Sequence, residues 1–186
     1  ACNLSQAVCK GARFNDANLD GCCLDQANLQ SCHFERAHMT DLSAVQAALE
    51  GANLDDADLT CSRLDGSQAD SHTTLRRTRL DQASLHQATW SGCQMAFATL
   101  TGVQAEGADF SYAHLNGAVL TGAVLINVNF DHASLERANL NRCELNGASF
   151  KHSLLKHAWL RDVSLENTDL NGAVLNGVHL DTLRQS

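Results

Sequence analysis

The chain has 186 residues, with 21 acidic and 13 basic side chains, a formal net charge of -8 and no proline. That balance argues against direct binding to a nucleic-acid backbone or an anionic membrane as a main role. Aromatic residues make up only 5% of the chain, and the apolar residues are dispersed, so no run approaches the length of a membrane span.

The dispersal has a period. From Leu4 to Ala69, and after one extra residue from Leu75 to Leu180, every fifth residue carries no charge and no amide. These 36 centres comprise 24 Leu, five Phe, two Met, one Trp, three Ala and one Cys. A step of five matches neither the 3.6 of a helix nor the 2 of a strand, so the sequence predicts a coiled backbone that turns a corner every five residues. Two residues before each centre the occupant is small: 20 Ala, five Cys, four Val, three Ser, three Thr and one Leu. Small and large side chains thus alternate about the centre, as on the inward face of a short strand. All twelve glycines fall two residues after a centre; Gly there signals a turn, because it adopts backbone angles that other residues resist. With no proline, every backbone N–H remains available to a hydrogen-bond ladder.

Taken in chain order, residues 1–70 form an acidic stretch with 11 acids against four bases. If one circuit takes four units, Glu35 stacks with Asp55 and Glu50 with Asp70. The acidic candidates are therefore Glu35, Glu50, Asp55, Asp56, Asp58, Asp65 and Asp70. The single slip, within Ala69–Leu75, reads as a local bulge in one continuous coil. The densest basic run, Arg76-Arg77-Thr78-Arg79, follows it and reads as a solvated corner beside that bulge. Next come Trp90, Phe110, Phe130 and Phe150, each 20 residues apart, as are Phe14 and Phe34. That spacing votes for four sides, with each set stacked about 4.8 Å apart like neighbouring strands. Ala69 falls beneath Trp90, a small residue making room for the largest. Toward the end, Leu154 and Trp159 stand where Asn or Asp is usual, with Val174 and His179 stacked on them, a candidate partner surface. Beyond Leu180 the repeat runs out.

Five of the eight cysteines, Cys2, Cys22, Cys32, Cys93 and Cys143, occupy the small slot, and Cys9 occupies a centre. They read as reduced, buried thiols in a reducing compartment; Cys2 and Cys22 are close enough to bridge, but no pairing is needed to explain them. Of nine histidines, His132 and His152 stack and His157 lies on the next edge; two imidazoles without a fixed third ligand make a weak metal site. Neither a catalytic constellation nor a phosphate loop stands out, so no catalytic residue, metal or cofactor is expected.

Segments such as Ala17-Asn18-Leu19-Asp20-Gly21, Ala52-Asn53-Leu54-Asp55-Asp56 and Ala138-Asn139-Leu140-Asn141-Arg142 resemble the pentapeptide-repeat family, whose consensus is A-(D/N)-L-x-x. The resemblance covers essentially the whole chain as one domain, 1–186. It implies an all-β fold, a right-handed quadrilateral parallel β-helix of about four units per coil and nine coils, forming a rod on the order of 40 Å long. It also implies a non-enzymatic structural and protein-interaction module, set in a larger bacterial protein such as an effector or secretion-associated protein. The alternative it carries is a DNA-mimicking regulator or protector of a type II topoisomerase, working through the acidic rows. A protein partner, flanking domains of the same chain or end-to-end self-association is expected to complete it, without membrane or direct nucleic-acid contact. The expected location is cytoplasmic, or exported as part of an effector. Inside the rod, Phe130→Asp is expected to unfold the column, whereas changing the outward Asp131 is expected to do little.

Overall fold

The computed structural model describes residues 2–180, so Ala1 and the run-out of the repeat over 181–186 lie outside the described residues. Each five-residue unit contributes a bridge residue just before its centre, and outside the coil that holds the slip each bridge residue pairs in parallel with one 20 residues on, as in Asn3↔Cys23, Cys23↔Ser43 and Phe130's neighbour Asn129↔Ser149. One circuit therefore takes four units. The chain forms a parallel β-helix of single-residue bridges, because a turn every five residues leaves little length for a strand. Among the described residues only Trp159–Leu160 (β1) and His179–Leu180 (β2) extend to a two-residue parallel pair.

The consensus follows from hydrogen-bond accounting. In the unit around Leu24, Cys23 N–H donates back to Cys2 C=O at 2.9 Å. Leu24 and Gln26 N–H donate forward to Ser43 and Val45 C=O at 2.6 and 2.8 Å, and Ala27 N–H closes the turn on Leu24 C=O at 3.0 Å. Asp25, the shoulder residue just after the centre, has its N–H outside this ladder, and buried or half-buried amides need partners. Asn and Asp side chains supply them at shoulder after shoulder. From the bridge position of the same unit, Asn53 accepts from Asp55 N–H at 3.0 Å and Asn129 from Asp131 N–H at 2.9 Å. From the shoulder one coil back, Asp25 accepts from Val45 N–H at 2.9 Å and Asp81 from Thr101 N–H at 2.8 Å. The Asn and Asp residues that flank centres thus finish the ladder rather than merely solvate it.

The corner, two residues after the centre, is left-handed at every described unit except the slip. All twelve glycines have φ between 62° and 75°, and 22 other residues adopt φ of 53–62°. Glycine signals this turn, yet most corners hold a side chain. The turn bond and the ladder on both sides impose a conformation that costs a non-glycine residue about 1–2 kcal/mol. At the slip, neither Ser71 nor His72 takes a positive φ. The extra residue is absorbed by Asp70, whose carboxylate accepts from Gly51 N–H and His72 N–H, each at 3.0 Å. Partial burial opposes ionisation of Asp70, but those N–H groups and the Thr73 hydroxyl outweigh it and hold its carboxyl below the usual range. Bridges step by 21 across this coil, from Asn53↔Thr74 to Gln68↔Thr89, and by 20 again from Thr74↔Gln94. The slip is a bulge in a continuous ladder.

Centres and small slots are buried almost without exception from Leu19 to Leu160. Phe14 and Phe34 stack at 5.1 Å, Phe110 and Phe130 at 5.6 Å, and Phe130 and Phe150 at 5.0 Å. Trp90 departs from the expected stack: it meets Phe110 edge-on at 80°, because its indole N–H donates to the Ser67 hydroxyl at 3.0 Å. Buried Ser62, Thr78 and Ser153 in small slots donate to the carbonyls of Leu59, Leu54 and Phe150. Each large side chain removed from water contributes about 1.5–3 kcal/mol before entropy is subtracted. The ends are more open. Leu165, Leu175 and Leu180 are 40%, 43% and 60% exposed and, with Leu155 and Leu170, rim an apolar hollow that reaches Phe150.

Candidate functional site

Because the interior repeats, distinguishing chemistry lies in the outer columns, each built from residues one coil apart. The acidic candidates do not form one face. Bridge pairing puts Glu35 and Asp55 on the face that carries Asn53, Glu50 and Asp70 on that of Ala48 and Gln68, Asp65 beside Arg63, and Asp58 beyond the Asp56 corner. The seven are thus distributed over four sides, and several are engaged. Arg77 grips Asp56 through two bonds of 2.7 and 2.6 Å, and Arg79 reaches Asp58 at 2.8 Å. Asp55 accepts from Arg76 N–H at 2.8 Å, and Asp65 accepts from His86 N–H at 3.0 Å. Glu35 takes the Asn53 amide at 2.8 Å, and Glu50 meets Gln30 at 3.4 Å. The basic run after the slip therefore lies directly over the acidic run Asp55–Asp58. Below it, Arg36 holds Asp16 through two bonds of 2.7 Å. The arginines beside Asp16 and Asp56 hold those carboxyls below the usual range. A further corner carries an amide ladder, Gln6–Gln26–Gln46, with spacings of 3.1 and 3.3 Å.

The second half of the molecule carries rings instead. Tyr112, His132 and His152 stack along one corner at 4.8 and 5.1 Å, with interplanar angles of 6° and 18°. Along the next corner Phe97 is 65% exposed and lies over Gly117. A Cβ on Gly117 would come within 2.7 Å of that ring, and φ of +68° disfavours a side chain there in any case. His157 follows further along the same corner as Phe97, so it does not join the imidazole stack. Among the described residues no group of three metal-ligating side chains converges.

The predicted surface residues come together in pairs on two adjacent faces. Leu154 bridges to Val174, and Trp159 pairs with His179, whose ring stacks on the indole at 4.0 Å. The Arg161 guanidinium stands 4.9 Å from the Trp159 ring centroid. Trp159 displaces the usual Asn or Asp, and Asn141 one coil back accepts from Arg161 N–H at 2.9 Å in its place. Phe97 and Tyr112 are functional candidates that sequence reasoning passed over. The signal was present: corner positions otherwise hold Gly, small, amide, charged or imidazole residues, and these are the only Phe and Tyr among them.

The pentapeptide repeats family model matches eight copies, over residues 1–30, 32–68, 78–117, 106–142 and 143–181, leaving out the slip. A comparison with curated proteins gave no significant match. Among solved structures the chain is similar to HetL, a pentapeptide repeat protein involved in heterocyst differentiation regulation from the cyanobacterium Nostoc sp. strain PCC 7120. The two are 26% identical with a TM-score of 0.56 over 99% of this chain and 90% of that one. It is also similar to a trypsin-treated form of QnrB1, a plasmid-mediated fluoroquinolone resistance protein, at 18% identity and a TM-score of 0.59 over 91% of this chain and 92% of that one. The repeat, the ladder and these matches lead to one conclusion: the chain belongs to the pentapeptide repeat family.

Proposed function

We propose that this chain is a non-enzymatic protein-binding module, a rigid right-handed rod of about nine coils whose ring-bearing second half makes the specific contact. The observation that carries this reading is the outward cluster of Leu154, Val174, Trp159, His179 and Arg161, on faces flanked by Phe97 and Tyr112. Aromatic and Arg side chains are enriched where partners bind, and a rigid rod presents them at little entropic cost. The apolar hollow at the Leu165–Leu180 end supports completion of the rod by flanking domains or another chain, as expected for a module of a larger bacterial protein. A reducing, cytoplasmic setting is part of the same proposal, supported by Cys22, Cys32, Cys93 and Cys143, which sit buried in small slots as unpaired thiols. Trp159→Ala tests the reading: it is expected to weaken a partner complex at least tenfold while leaving the melting transition cooperative. Unchanged affinity for that variant and for Phe97→Ser would overturn it.

A second reading, DNA mimicry toward a type II topoisomerase, rests on the Glu35–Asp55 and Glu50–Asp70 rows. The arginines over Asp16, Asp56 and Asp58 weaken it, because they pair off three carboxylates of the columns beside those rows. A gyrase supercoiling assay separates the two readings: neither inhibition nor protection at micromolar protein removes mimicry.

A further inference from the structure

The eight cysteines fall into distinct environments. Cys93 and Cys143 are buried in small slots, and burial pushes both thiols up, Cys143 to about 12, which leaves them unreactive. Cys32 is buried too and donates to the Cys9 carbonyl at 2.9 Å. Cys61 is exposed at a corner. Cys2 is also exposed, but it differs from Cys61 in lying directly beneath a second thiol in the ladder.

The bridge Asn3↔Cys23 sets the first two coils in register, with Cys23 N–H donating to Cys2 C=O at 2.9 Å. In the same contact Cys2 N–H points at the Cys22 sulfur at 3.2 Å. In-register residues on neighbouring strands lie about 4.8 Å apart, inside the window of about 4.4–6.8 Å that a disulfide spans between Cα atoms. Cys2 is exposed, whereas Cys22 is only 5% exposed. That is the arrangement of an attacking and a resolving thiol.

We propose that Cys2 and Cys22 are a thiol–disulfide exchange site, oxidised by a low-molecular-weight disulfide such as oxidised glutathione to a bond that ties the first coil to the second. The Cys2 thiolate attacks one sulfur of the small disulfide, forming a mixed disulfide and releasing one small thiolate. The Cys22 thiolate then attacks the Cys2 sulfur and expels the second. Two cysteine thiols lose two protons and two electrons, and the small disulfide is reduced to two thiols. The bond ties the coil in which Leu4, Cys9 and Phe14 are only partly buried to the coil above it. Its hydrogen bond with Cys22 holds the Cys2 thiol above its ordinary value, so the first step accelerates as pH rises above neutrality.

The test exposes the full chain to oxidised glutathione, alkylates it and maps thiols by mass spectrometry, with Cys61 as internal control. The site predicts a Cys2–Cys22 cross-linked peptide free of glutathione, while Cys61 retains glutathione. It also predicts that amide exchange at Cys23 and Asn28 slows about tenfold on oxidation. In Cys22→Ser, glutathione is expected to accumulate on Cys2. That variant folds, because Ser already fills the equivalent small slot at Ser62, Ser67 and Ser153. Stable glutathione on Cys2 of the unaltered chain, a Cys2–Cys9 or Cys9–Cys32 bond in its place, or an unmodified Cys2 beside a modified Cys61 would overturn the proposal.

Discussion

One corner of the column carries Asp16, Arg36, Asp56 and Arg77 in its first half and Phe97, Gly117, Arg137 and His157 in its second. Behind both stretches the interior is the same stack, from Phe34 and Leu54 to Leu115 and Leu135, with every one of these side chains buried. The same backbone angles therefore support an ion-pair ladder and a ring-bearing edge with equal ease. The first arrangement satisfies itself: each arginine spends its charge on an aspartate one coil away. The second leaves Phe97 facing water, and on the neighbouring corner Tyr112 does the same. The inner column thus specifies the fold, while the outer columns carry side chains the fold does not need.

A core substitution should strike both halves hardest, because they share one interior. Phe130→Asp puts an unpaired carboxylate between Phe110 and Phe150, at a cost of more than about 5 kcal/mol. Thermal unfolding should then show no cooperative transition; a normal melt would mean the interior is not a common column. A middling effect is expected at Asp131, which is not idle as its outward position suggested. Its carboxylate accepts from the Ser149 hydroxyl and from Lys151 N–H at 2.9 Å. Asp131→Ala should cost about 1 kcal/mol and lower Tm by about 2–4 °C; no change in Tm would remove the role assigned to shoulder residues.

The smallest effect belongs to the ion-pair ladder. Arg77→Ala should reduce stability slightly, and added salt should erase the difference from the unaltered chain, because the pair is exposed. It also has a pH signature. Arg77 holds the Asp56 carboxyl below its unfolded value, so the unfolded chain binds more protons in the acid range. The contribution of the pair is complete above the ordinary carboxylate range and is lost as pH falls through the lowered value. Arg77→Ala should flatten that acid-side loss in a series of pH-dependent melts. An unchanged slope would detach Asp56 from Arg77.

The inward positions were legible because an apolar residue recurs at every fifth position; a slip of one residue was visible at once and behaves as a bulge. Four units per circuit could be read from phenylalanines 20 residues apart, since only large rings need to align. The outer surface was only partly legible. Leu154 and Trp159 stood out by replacing Asn or Asp, but the pairing of Asp56 and Asp58 with Arg77 and Arg79 did not. That pairing depends on the extra residue in the slip, which shifts the basic run over the acids by 21 rather than 20 positions. Acid counts alone could not reveal that neutralisation. The tilt of Trp90 escaped for a similar reason, because it is set by the hydroxyl of Ser67, a residue of the coil beneath.

The most direct test uses the corner that runs from Asp16 to His157. A photo-cross-linking amino acid is placed in turn at Arg36, Arg77, Phe97 and His157, four positions of one column with the same backbone conformation. Each protein is irradiated in an extract of its source organism. If the second half makes the specific contact, positions 97 and 157 should give one discrete adduct that Trp159→Ala removes, and positions 36 and 77 should give none. Equal labelling along the whole column, or adducts confined to positions 36 and 77, would contradict the account.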